Sequence, residues 1–173
     1  MKKKNPPRWS EMCLLDWKEM WIDADNAAFP CTPSVSLVYA ISVAADEILA
    51  EGIDNVVARH TQCAKSFRAG LRAMGLETWA ATEDIAANSC TTFKCPAGVD
   101  TDEFCHYVNE KYGLFMITGI GAHAKIIIGF EHMGNAANPI MVPTYLAMIG
   151  KAFAHFGIKL DIAVGEAAAL KLI

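Results

Sequence analysis

Between Ser34 and Met74 the apolar positions recur every three or four residues, with one interruption near Gly52. That spacing predicts two helices, "SVSLVYAISVAADEILAE" and "IDNVVARHTQCAKSFRAGLRAM". In the second, Val57, Ala64, Phe67, Leu71 and Met74 share one face, which is the stripe a helix buries. Asp54 is expected to cap it and Gly75 to end it. His60 lies within the stripe and reads as a packed or interhelical histidine. Beyond Gly75 the period shortens to two, so "LETWAAT" and "SCTTFKC" read as strands closed by the turn "PAGVDTD". Asp100 or Thr101 then starts a helix, "DEFCHYVNEKY", which Gly113 ends. "LFMIT" is a buried strand, "GIGAHA" a hairpin loop and "KIIIGF" the returning strand. A last long helix, "PTYLAMIGKAFAHFG", has Pro143 in its first turn, and a short "DIAVGEAAALKLI" follows. Residues 1–30 carry Pro6, Pro7 and Pro30 and read as irregular, although Trp9, Trp17 and Trp21 make them too apolar for a free tail.

Helices first, then a small sheet crossed by a helix, is an α+β layout. Its strands are expected at about residues 77–81, 90–95, 114–118 and 125–130, covered on one face by the helices. The chain has 173 residues, 53% of them hydrophobic, enough for one core. A net charge of −4 argues against a polyanion partner, and the one basic cluster is Lys2-Lys3-Lys4, so nucleic acid is set aside. That cluster runs into Asn5-Pro6-Pro7-Arg8 rather than an apolar stretch, so no secretion signal is read. Asp46, Glu47 and Asp54 break the longest apolar run, so no membrane span is read either. A cytoplasmic protein is the expectation. Its six cysteines, Cys13, Cys31, Cys63, Cys90, Cys95 and Cys105, then stay reduced. Cys90, Cys95, Cys105 and His106 match no paired zinc knuckle, and neighbouring Cys-His on a helix diverge by about 100°. No metal site is expected.

The ordered pieces "TPSVSLVYAI", "GIDNVVARH", "LRAMGLE", "TTFKCPAGVDTDEF", "YGLFMITGIG", "AKIIIG" and "HMGN" resemble the C-terminal part of class V aminotransferases. The likeness is to the alanine/serine–glyoxylate or serine–pyruvate type, within the fold type I enzymes that use pyridoxal phosphate. It implies a small C-terminal domain over 34–157 with a mostly antiparallel sheet. Residues 1–33 would be a segment crossing to the large domain or partner subunit, and 158–173 an extension. Amino transfer from an alanine- or serine-like donor to a 2-oxo acid such as glyoxylate or pyruvate is implied by family alone. The implied partners are a second copy of the chain or a separate large-domain subunit. The large domain, with its Schiff-base lysine, is not found in this sequence. Lys18 and Lys125 are misplaced for that lysine, so no catalytic residue is assigned and the isolated chain is expected to be inactive.

Two family contacts map onto this chain through the resemblance. The segment matching "FPCTPS" grips the cofactor phosphate of the other subunit through a threonine and a tyrosine three residues earlier. Thr32 matches the threonine, and Phe29, which cannot donate a hydrogen bond, stands for the tyrosine. Thr32 also reads as an N-cap ahead of Pro33 and the first long helix. In relatives the strand matching "KIIIG" ends in an arginine that pairs with the substrate α-carboxylate, in a pattern like R-I-G-H-M-G. Counting from Lys125 puts that arginine at Ile128; counting back from His132-Met133-Gly134 puts it at Gly129. Neither is arginine. The remaining chemistry in "GFEHMGN", Glu131 beside His132, reads as a strand end turning into a loop and not as an acid/base pair. Noncatalytic dimerisation or binding is the alternative function.

Overall fold

The computed structural model describes residues 12–173, which divide after Ala50 into two compact units. Trp9 lies outside the described residues. In the first unit, α1 (Leu14–Trp17) continues into a wider helical turn, Lys18–Ile22. This stretch is therefore not irregular as its sequence suggests: no proline interrupts it between Pro7 and Pro30, and the helix can form. Phe29 stacks on Trp21, with ring centroids 4.4 Å apart, and meets Trp17 edge-on at 6.0 Å. α2 (Val35–Glu51) buries none of its residues, and Leu37, Val38, Tyr39, Ile41 and Leu49 are exposed. No helix among the described residues is long and apolar enough to cross a membrane.

The break before α3 (Ile53–Ala73) is Gly52, whose φ of 86° is a left-handed conformation that few other residues tolerate. Gly52 is also the N-cap, so the expected cap Asp54 instead sits in the first turn, where its charge faces the positive helix end. Of the expected stripe, Ala64, Phe67, Leu71 and Met74 are buried, while Val57 is exposed because the core begins only at Cys63, nearly two turns later. Gly75 stops the helix at φ 91°.

β1 (Cys90–Lys94), β2 (Met116–Thr118) and β3 (Ile127–Glu131) form an antiparallel sheet in the order β1-β3-β2. The fourth expected strand, 77–81, is reduced to a bridge between Thr78 and Phe93. Trp79 N donates to Thr92 O and Lys94 N to Glu77 O, both at 2.8 Å, and then the chain leaves the sheet. It leaves because Glu83 is drawn to two α3 guanidinium groups: Arg68 Nε donates to its Oε1 and Arg72 Nη2 to its Oε2, each at 2.8 Å. Glycine-rich "GIGAHA" joins β2 to β3, as a hairpin loop should.

α4 (Thr101–Tyr112) is capped by the Asp100 carboxylate, which accepts from the amides of Asp102 and Glu103, and Gly113 ends it at φ 65°. One face of the sheet carries Thr91, Phe93, Met116, Ile128 and Phe130, all buried. It packs on the helices: Phe130 lies 5.3 Å from Phe67 of α3, and Phe93 lies 6.4 Å from Phe153 of α5 (Val142–His155). α6 (Ile162–Leu170) lies on α3 and α5 and buries Gly165 and Ala169.

α3 and α6 meet through glycines. A Cβ at Gly165 would overlap Met74 Cγ, lie 2.7 Å from Met74 Sδ and lie 3.1 Å from the Gly70 carbonyl oxygen. In an open helix Gly→Ala stabilises by about 1 kcal/mol. Here overpacking reverses the sign, and Gly165→Ala is expected to destabilise the unit by about 2 kcal/mol. Urea unfolding measures this, and a variant as stable as the parent would show that α6 has room to move.

Candidate functional site

The register of β3 settles which of two positions could hold the arginine suggested by the resemblance. Ile128 pairs with Phe93 and Thr118 and is fully buried on the helix-covered face. Gly129 pairs with Thr92 and Ile117 on the opposite face. A Cβ there would lie 3.1 Å from Ile117 Cγ1 and 3.4 Å from Thr92 Cγ2. Only position 129 could send a long side chain off the open face. What stands there is a glycine between two uncharged side chains, and the nearby Lys94 is paired with Glu77.

Glu131 and His132 separate as strand residues do. Glu131 is exposed and pairs with Cys90 at the end of β3. His132 is fully buried: its Nε2 lies 2.7 Å from Thr91 Oγ1, and its amide donates to Ser89 O. Among the described residues His132 Nδ1 has no hydrogen-bond partner. Burial holds its pKa down at about 4, so it carries no proton near neutrality. The two side chains do not form an acid/base pair. A cavity of about 420 Å³ lies beside Glu131, lined by Leu114, Phe115, Met133, Ala136 and Tyr145.

After His132 the chain makes a tight turn, Gly134–Ala136, and two neighbouring residues of α3 hold it. Arg59 Nη1 donates to Gly134 O and to Ala137 O, both at 2.7 Å, while its Nε and Nη2 take the two oxygens of Glu51 at 2.6 and 2.9 Å. The hydrogen bonds from Arg59 keep the Glu51 carboxyl below its ordinary range. His60 accepts from Gly134 N at 3.0 Å and contacts Val56 O through Nδ1 at 2.7 Å. His60 is thus packed as expected, but between helix and loop instead of between helices. The sequence did not single out Arg59, because an arginine in a charged stretch of helix reads as part of a solvated face.

Thr32 is exposed, two residues before Ser34, whose carbonyl accepts the first helical amides of α2. Its hydroxyl makes no hydrogen bond among the described residues, so it is not the N-cap read from the sequence. Lys18 pairs with Asp23, and Lys125 with Asp100 and Asp102 at 2.9 and 2.8 Å. The six cysteines are free, and burial raises the thiols of Cys63, Cys95 and Cys105. Among the described residues no three His, Cys, Asp or Glu side chains are placed to hold a metal.

No family model matches the chain. Over 99% of its length it is 39% identical to the pyridoxamine–pyruvate transaminase of Mesorhizobium japonicum, of which it covers 44%. The serine–glyoxylate aminotransferase of Arabidopsis thaliana is 29% identical over 82% of the chain, which covers 35% of that protein. The crystal structure of pyridoxamine–pyruvate aminotransferase from Mesorhizobium loti matches 98% of the chain with a TM-score of 0.86 at 38% identity; the match takes in 43% of that structure's chain. Ureidoglycine–glyoxylate aminotransferase from Bacillus subtilis, at 19% identity and a TM-score of 0.80, shares the fold. The chain spans less than half the length of these curated relatives, and the part it matches is their C-terminal part.

Proposed function

We propose that this chain, which corresponds to the C-terminal part of the class V aminotransferases, supplies the small domain of an enzyme moving an amino group from pyridoxamine to a 2-oxo acid such as pyruvate. The observation that carries the reading is 39% identity to a pyridoxamine–pyruvate transaminase across 99% of the chain. Pyridoxal phosphate, the cofactor implied by the family, fits this chain's own residues poorly. Of its phosphate grip only Thr32 remains; Phe29 cannot donate, and its ring is engaged by Trp21 and Trp17. Pyridoxamine has no phosphate, so the missing donor would not weaken its binding. The apolar side chains exposed along α2 favour a cover supplied by a large domain or a second copy, and the free thiols suit a cytoplasmic setting.

What this chain contributes is shape and exclusion. On the sheet's open face Thr92, Ile117 and Gly129 are uncharged and the nearby Lys94 is paired with Glu77, so in this reading the 2-oxo acid's carboxylate is met by groups outside this chain. A second reading, a noncatalytic dimerisation or binding module, draws on that absence of arginine.

The test joins this chain with a separately made N-terminal part of the Mesorhizobium transaminase and supplies pyridoxamine and pyruvate. Alanine should appear only in the mixture, and pyridoxamine phosphate should be the poorer donor. No turnover from a stable mixture would favour the noncatalytic module. A clear preference for the phosphorylated donor would remove the argument from Phe29.

A further inference from the structure

We propose that Arg59 and His60 are positioning residues that fix the turn at residues 134–137, and through it the direction of Glu131–Met133, for binding of the 2-oxo acid. The inference rests on the aminotransferase reading above, since this segment directly follows the strand bearing Gly129.

The geometry is that of a clamp with no free rotation. Glu51 takes Nε and Nη2 of Arg59 with separate oxygens, which locks the plane of the guanidinium. The remaining terminal nitrogen, Nη1, then reaches two carbonyls of one turn, Gly134 O and Ala137 O. His60 fixes the same turn from another side. Val56 O can only accept, so the proton of neutral His60 sits on Nδ1, and Nε2 is left as the acceptor for Gly134 N–H. Neighbouring residues on a helix point about 100° apart, so the amide and the carbonyl of Gly134 are held from two directions. Tyr145 Oη adds a long contact to Ala136 O at 3.5 Å.

Such bonds, exchanged against water near the surface, each add only modestly to stability. Their effect is on orientation. Gly134, at φ 58°, is a backbone position that could otherwise swing, and Met133 just before it lines the cavity beside Glu131. A turn free to pivot about Gly134 would move both.

The test has two arms. In the first, amide hydrogen exchange is followed residue by residue in the chain itself. Both His60→Ala and Arg59→Ala are expected to speed exchange at Gly134 and Ala137 by at least about tenfold, with the β3 amides unchanged. His60→Gln, whose amide oxygen can stand in for Nε2, should restore slow exchange. Arg59→Lys should not, because the three N–H donors of one ammonium cannot reproduce the four hydrogen bonds that the planar guanidinium makes. Unchanged exchange at Gly134, or an equal rise throughout the unit, would overturn the clamp. In the second arm the same variants are joined with the N-terminal part of the Mesorhizobium transaminase. Arg59→Ala should raise KM for pyruvate about tenfold and change kcat less than twofold; an unmoved KM beside fast exchange would refute the substrate-positioning role. If the unsubstituted mixture gives no amino transfer, the aminotransferase reading fails, and with it the substrate role, while the exchange arm still decides the clamp.

Discussion

Ile128→Arg is expected to unfold the 51–173 unit, while Gly129→Arg, one residue along, should leave it folded. Ile128 is fully buried beside Phe93 on the helix-covered face of the sheet, and among the described residues no acidic side chain is buried there to pair with a charge. A guanidinium there would be desolvated without compensation, and an isoleucine's packing would be lost as well. A cost above about 4 kcal/mol is expected, comparable with the whole stability of a small domain. At Gly129 the new side chain leaves from the open face, between Thr92 and Ile117, and its head can reach water. Those neighbours must give by a few tenths of an ångström, a strain of about 1 kcal/mol. Urea unfolding of both variants is the measurement. Equal losses at the two positions would mean that the faces of β3 are assigned wrongly.

Acid should weaken the fold before its carboxylates titrate, because of His132. Burial lowers its pKa from 6.5 to about 4. Above pH 6.5 the folded and unfolded forms are both neutral and the full stability is present. As the pH falls from 6.5 toward 4, the unfolded chain takes up a proton that the folded one refuses, so stability is lost across that window. The loss integrates to about 3 kcal/mol at 1.4 kcal/mol per unit. The carboxyls of Glu51, Glu83 and Asp100 have folded values below 4.5, 4.5 and 3.8 respectively, so their contributions are lost toward the acid end. His132→Gln should therefore flatten the dependence of unfolding free energy between pH 6.5 and 5. If this variant keeps the parent's slope there, the loss comes from another group.

The elements most legible in the sequence were those fixed by local signals. The Gly52 break, the Asp100 cap and the Gly113 stop each depend on residues within one turn, and each stands where its sequence puts it. Elements decided by distant partners were not legible. The strand expected at 77–81 shortens to one bridge because Glu83 answers to Arg68 and Arg72 on a helix. Asp54 loses the cap to a glycine because the chain arrives there with positive φ. At the candidate site, counting alone left the missing arginine between Ile128 and Gly129, and only strand pairing separates a core position from an open one. Arg59 gave no signal at all, since the loop it holds, through Gly134 and Ala137, lies far along the chain.

The order β1-β3-β2 has a consequence for how the chain is made. The middle strand is the last of the three to be synthesised, and β1 and β2 share no ladder of their own. A nascent chain that stops short of residue 127 holds two strands and no sheet. Once β3 arrives, β2 is its near neighbour across the short loop 119–126, whereas β1 must return across 95–126 with α4 already in between. Closing the longer loop costs more entropy, so the hairpin zips first and β1 docks onto it. Until that docking, Thr91 and Phe93 wait exposed. Of the three strands the central one is thus the last to be made, with only the core helices α5 and α6 still to follow, and a pause in translation before residue 127 leaves β1 and β2 without the strand that both of them pair with.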